Sequence, residues 1–227
     1  MSTNEHLDLV LSEIDALPIA PDRPLIISDA DEVILQFMAG LEKYLISQGF
    51  WIDLTSYAIH GNVKKTNEDT PIPNEHVTDL IKSFFRTHTE TIEVVPAAPN
   101  VLRKLSDKSQ IVILSNVPTA SKDARIRCLS SQGVNYPVIA NSGPKGPAVA
   151  ALAARVEAPT FFLDDIPHHI TSVAETAPDV RRIHFVADER LARLIEPAEH
   201  ADHRIDDWHG LHDIIVDEIN AFLGLSD

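Results

Sequence analysis

Short apolar runs recur along this chain at residues 24–29, 110–115, 136–140, 160–165 and 182–186, and several of them end in acidic or amide side chains. Most are separated by stretches with helical spacing, such as 99–105, 119–132 and 147–156. A strand with one wet face alternates polar and apolar residues, whereas most of these runs hold consecutive apolar residues and so call for cover on both faces. Strands of that kind alternating with helices predict an α/β fold, a doubly wound parallel sheet. Ahead of the first run, Leu7, Val10, Leu11, Ile14 and Leu17 fall at helical spacing and Pro18 stops the pattern. A leading helix is expected over about 5–17, lying on the main domain or on a second subunit.

One gap breaks the rhythm. About eighty residues separate the first run from the second, far more than a crossover helix needs. Phe37, Leu41, Tyr44 and Leu45 form one helical pattern there, and Val77, Leu80, Ile81, Phe84 and Phe85 form another, with Asn74 placed to cap it. Residues 62–74 are polar, contain Pro71 and Pro73, and read as a loop; Phe50 and Trp51, with Phe84 and Phe85, read as the insert's small core or its contact with the main domain. The expected organisation is an α/β core over 1–37 and 96–227, with a small helical insert over 38–95.

Composition narrows the partners. With 227 residues and 44 % hydrophobic content, the chain can bury a substantial core. A formal charge of −15 disfavours a general nucleic-acid binder, since neutralising phosphates needs clustered Lys and Arg. A small anionic ligand needs only a few local positive groups. The single cysteine, Cys128, admits no intramolecular disulfide and suits a reducing compartment. No apolar run approaches the ~20 residues that cross a bilayer, and the first 22 residues lack a basic leader. A cytoplasmic protein with neither a membrane nor a nucleic-acid partner is expected, its oligomeric state open.

In an open parallel sheet, ligands bind at the carboxyl ends of the strands, where strand order reverses. The first run ends in Asp29-Ala30-Asp31, the second in Ser115-Asn116, and the fourth in Asp164-Asp165. Two acids at one exit facing two at another would repel unless a cation lay between them, and oxygen donors of that type suit a hard divalent ion, with Mg²⁺ the expected one. Lys145, in Gly143-Pro144-Lys145-Gly146-Pro147, stands just before a helical run, where the helix dipole disfavours a cation. Holding an acidic group or a phosphate accounts for it better than solvation does.

Taken in order, Asp29-Ala30-Asp31-Glu32-Val33, Ser115-Asn116, Lys145 and Asp164-Asp165 resemble the four motifs of the haloacid dehalogenase (HAD) superfamily. The insert after the first motif resembles that superfamily's cap in its first-position form, and residues 202–211 resemble the short strand and helix that close many such cores. The resemblance covers nearly the whole chain after residue 23. It implies that Asp29 is a nucleophile forming an aspartyl-phosphate, and that Asp31 protonates the leaving oxygen and then activates water. It further implies that Ser115 and the Asn116 amide bind phosphoryl oxygens, and that Lys145 holds nucleophile and phosphate. The metal site would comprise Asp29, the Asp31 backbone carbonyl, Asp164 and Asp165, with Asp164 the first choice for direct contact. Members that cleave carbon–halogen bonds lack the second Asp and resemble this chain less. The expected activity is therefore Mg²⁺-dependent hydrolysis of a small phosphorylated metabolite.

Two residues depart from the pattern. Glu32 stands where many family phosphatases have Gly, and His169, beside His168, stands where Asn is frequent. The motifs are also compatible with a catalytically silent binding or regulatory protein, or with a phosphotransferase or phosphonatase. The last would want an amine from the insert, for which Lys64 and Lys65 are distant candidates. His200, His203, His209 and His212 gather near the C-terminus among charged residues and read as a solvated surface.

Overall fold

The computed structural model describes residues 3–224, with side chains from residue 5 onward. Helix α1 (Thr3–Ala16) leads into β1 (Leu25–Ser28). The insert builds α2 (Phe37–Ser47), β2 (Phe50–Ile52), β3 (Val63–Lys65) and α3 (Asn74–His88). The chain returns through α4 (Ala98–Leu105), β4 (Gln110–Ser115), α5 (Lys122–Ser131), β5 (Val138–Ala140) and α6 (Gly146–Ala153). It ends with β6 (Thr160–Asp164), α7 (Pro167–Thr176), β7 (Arg181–His184), α8 (Glu189–Ala192), β8 (His203–Arg204) and α9 (Trp208–Leu223).

Six strands form one parallel sheet in the order β5-β4-β1-β6-β7-β8. The chain steps outward from β1 to β4 and β5, then crosses back to β6 on the other side of β1. Strand order therefore reverses at β1, and the carboxyl end of that strand is the position where open parallel sheets bind ligands. The two-residue period of the strands divides the core. Leu25, Ile27, Val112 and Phe162 face α1, α6 and α7, whereas Ile26, Ile113, Phe161 and Leu163 face α4 and α9. Burying a side chain of this size is worth roughly 1.5–3 kcal/mol, so each face has its own reason to keep register.

The leading helix lies on the main domain. Val10 and Ile14 enter the core beside Val149 and Leu152 of α6. Arg155 donates to the carbonyls of Ile14 and Leu17, which also accept from the Leu17 and Ile19 amides, and so ties the end of α1 to the chain just after α6.

The insert leaves and re-enters through adjacent extended segments. The Gln36 amide donates to Glu93 O at 2.9 Å and the Val95 amide to Ile34 O at 2.8 Å. Its two main helices meet through Phe37, Tyr44, Phe84 and Phe85, with ring centroids 5.5–5.6 Å apart for the closest pairs. Between them lies an antiparallel ribbon, β2 against β3, where the sequence suggested only loop and core residues. Strands of three residues are too short to display a period and exist because they pair. Ile52 and Val63 turn inward, while Trp51 lies outward, 36 % exposed, beneath the Lys64 ammonium. Asn74 does not cap α3 but begins it; Pro73 precedes it as the N-cap, without a side-chain bond. No helix among the described residues is long and apolar enough to cross a membrane.

Candidate active site

At the reversal point the Asp29 amide donates to Leu163 O at 2.8 Å, which sets Asp29 beside Asp164. Asp29, Asp164 and Asp165 are all buried, and each offers a carboxylate oxygen within 4.8 Å of the others. The Lys145 ammonium lies 2.7 Å from Asp29 Oδ1 and 2.7 Å from Asp164 Oδ2, with no exposed side-chain surface. Three carboxylates against one ammonium leave two uncompensated negative charges when all are ionised, an expensive state to bury. Burial accordingly pushes Asp164 up to about 7 despite Lys145, and burial with Asp164 and Asp29 alongside holds Asp165 well above the carboxylate range. Burial alone would lower Lys145, but Asp164 and Asp29 outweigh it and the ammonium is held charged. Asp165 Oδ1 is buried without a hydrogen-bond partner. A cluster of hard oxygen donors with surplus negative charge and an orphaned acceptor could hold a hard divalent cation.

Helix packing delivers the lysine. Lys145 is the N-cap of α6, and Gly146 begins the helix against α7, its amide donating to Ser172 Oγ at 3.1 Å. A Cβ at Gly146 would lie 2.3 Å from Ser172 O, so only glycine permits this approach.

Asp31 stands outside the trio. Its carboxylate pairs at 2.7 Å with Nη2 of Arg125, a fully buried guanidinium on α5. Burial raises the Asp31 pKa and Arg125 opposes it, with the Asp29 charge adding to the rise. Glu32 adopts φ +55, the left-handed region that favours glycine, which accounts physically for the residue common at this place in the resembling motif. Its carboxylate accepts from the Met38 amide in the first turn of α2, and its Oε2 is buried without a partner. Burial pushes Glu32 up to about 8, with the Met38 bond opposing and Asp188 and Asp31 reinforcing.

Ser115 ends β4 at the same rim, its hydroxyl accepting from the Val117 amide at 3.3 Å. The Asn116 side chain donates to Gly143 O at 2.9 Å and accepts from Asn141 Nδ2 at 2.8 Å, binding the loop that carries Lys145. His169 is buried 3.4 Å from Asn116 Nδ2, and burial next to Lys145 lowers its pKa, so the ring is neutral. Lys64 is engaged with Asp53 at 2.8 Å and Lys65 with Glu68 at 3.4 Å. Of the C-terminal histidines, His203 contacts Glu218 and His212 contacts Asp213.

Three participants were not singled out from sequence. Arg125 sits in Lys122-Asp123-Ala124-Arg125-Ile126-Arg127, which reads as a solvated helix; in the fold Arg125 is buried and Ile126 is exposed. His184, at the end of β7, has Nε2 2.9 Å from the Asp165 carbonyl while Nδ1 accepts from the Ala198 amide. Tyr57, in the β2–β3 loop of the insert, donates its hydroxyl to Asp165 Oδ2. Burial and the adjacent Asp165 raise the phenol pKa, so it remains a donor. No local pattern announces these contacts, which span 94, 19 and 108 residues for Arg125, His184 and Tyr57.

No family model matches the sequence, and no curated protein matches it. Solved structures do share the fold. A HAD family hydrolase from Deinococcus radiodurans R1, with bound phosphate and sodium, superposes at TM-score 0.58 and 13 % identity over 88 % of this chain and 97 % of its own. A haloacid dehalogenase-like hydrolase from Streptococcus pneumoniae gives 0.55 and 12 %, covering 85 % and 98 %. L-2-haloacid dehalogenase from Xanthobacter autotrophicus, with chloropropionic acid covalently bound, gives 0.52 and 10 %, also covering 85 % and 98 %. The fold is the one shared by haloacid dehalogenase-like hydrolases.

Proposed function

We propose that this chain is a HAD-superfamily phosphatase that hydrolyses a small phosphorylated metabolite with Mg²⁺, the insert over 38–95 serving as a cap. The observation that carries the reading is the buried Lys145 joining Asp29 to Asp164 at the strand-order reversal, with Asp165 alongside. A neighbour of the same fold with bound phosphate supports it.

Lys145 and the Ala30 amide hold Asp29 Oδ1, leaving Oδ2 to attack phosphorus. The bond from phosphorus to the leaving oxygen breaks as Asp31 gives that oxygen a proton. Asp31, returned to the carboxylate, then takes a proton from the water that cleaves the aspartyl-phosphate, releasing inorganic phosphate and restoring Asp29. A carboxyl raised by burial and steadied by Arg125 suits both duties. Ser115 and the Asn116 amide would receive the phosphoryl oxygens. Asp29, Asp164, Asp165 and the Asp31 carbonyl would hold Mg²⁺, which when bound neutralises charge on the phosphoryl group. The insert would exclude water during the first step.

The test is Mg²⁺-dependent phosphate release from an aryl phosphate by wild type and by Asp29→Asn, with halide release from 2-chloropropionate measured in parallel. Wild-type phosphate release that disappears in the variant is the expected result. Equal rates in both proteins, or halide release alone, would overturn the reading.

A further inference from the structure

The geometry points to Tyr57 as a positioning residue that orients Asp165 for cation binding and thereby ties occupation of the acid cluster to closure of the insert over it. This rests on the cation reading above and adds to it a component from outside the core.

The residues around Tyr57 form a shaped loop. Asn62 organises it, its Nδ2 donating to Ser56 Oγ at 2.8 Å and to Ala58 O at 2.7 Å, while Thr55 Oγ1 donates to its Oδ1 at 3.2 Å. The Asp53 amide closes the loop on Asn62 O at 2.9 Å. From this support the Tyr57 ring extends to the sheet rim, where its hydroxyl bonds Asp165 Oδ2 and lies 3.3 Å from the Asp165 carbonyl. His184 holds that same carbonyl from the core side at 2.9 Å. Asp165 is thus fixed from two directions, and the oxygen left over, Oδ1, is buried and unpartnered. A carboxylate with one oxygen claimed by a neutral donor presents the other in a single orientation, which is how outer partners tune a cation site.

Coupling follows from where the donor comes from. Tyr57 belongs to the insert and Asp165 to the core, so the bond exists only when the insert is closed. A cation that binds better to the oriented carboxylate must, by linkage, favour the closed arrangement by the same factor.

Mg²⁺ binding is measured by titration calorimetry on the full chain, with hydrogen exchange of the 53–62 amides with and without Mg²⁺. Tyr57→Phe should bind Mg²⁺ about 10- to 100-fold more weakly than wild type. Asn62→Ala, which leaves every acid in place, should weaken binding in the same direction by loosening the loop. Mg²⁺ should slow exchange at 53–62 in wild type and not in Tyr57→Phe. Mg²⁺ binding that needs Asp165 (lost in Asp165→Asn) yet is unchanged or tighter in Tyr57→Phe would overturn this inference alone. Absence of Mg²⁺ binding by wild type would overturn the cation reading and this inference with it.

Discussion

Glu32 offers a quantitative test of how the first motif joins the insert. The residue is 4 % exposed, and its carboxyl caps α2 through the Met38 amide and carries an Oε2 with no partner. Its pKa rises from 4.5 in the unfolded chain to about 8 in the fold. A folded pKa above the unfolded one means that the folded state holds the proton more tightly. The contribution to stability is complete below about pH 4.5 and is lost as pH rises through 8. The loss reaches about 2 kcal/mol near pH 6 and about 5 kcal/mol by pH 9, at ~1.4 kcal/mol per pH unit. Glu32→Gln keeps an oxygen for the Met38 amide and has no charge to bury, so its stability should not fall for this reason. Urea unfolding of both proteins, in chelator and from pH 5 to 9, measures the difference between them. Titrations common to both proteins, including those of the acid cluster, cancel in that difference. The advantage of the variant should grow from pH 5 to about 8 and level off above it; curves that stay parallel across the whole range would refute the assignment of a proton-bearing buried Glu32.

The packing of α6 on α7 makes Gly146→Ala costly by about 1–3 kcal/mol, and because Lys145 is the preceding residue, turnover in the proposed phosphatase reaction should fall too. Denaturant midpoints and rates measured together check this, and a variant with wild-type values of both would refute it. Asp31→Asn leaves the buried Arg125 without its counter-charge and should destabilise the fold by about 3 kcal/mol, measured by urea unfolding, besides abolishing turnover. Asp164 and Asp165 have folded pKa values raised above the unfolded range, so cation-free protein should lose stability as pH rises from about 4 through 7. The increase in Tm on adding Mg²⁺ should consequently be small at pH 5 and larger at pH 8 in thermal melts, and an increment independent of pH would contradict it.

The doubly wound sheet was legible because β1, β4, β5 and β6 are largely contiguous apolar runs, and contiguity is a property of the chain itself; β8, His203-Arg204, has no such run. Asp29, Asp31, Ser115 and Asp164 were legible for the same reason, as polar punctuation at strand ends whose common location is dictated by parallel topology. The β2–β3 ribbon was not legible, since three-residue strands owe their existence to pairing rather than to pattern. The partners within the site lay further beyond reach. Arg125 is disguised by charged neighbours on its helix, and the Tyr57 hydroxyl meets Asp165 across 108 residues. Local order along a chain establishes which elements form and where their polar ends emerge. Which carboxylate meets lysine, arginine or phenol is settled by packing in three dimensions, because burial gives those few contacts their strength and no residue is buried until the whole fold has closed around it.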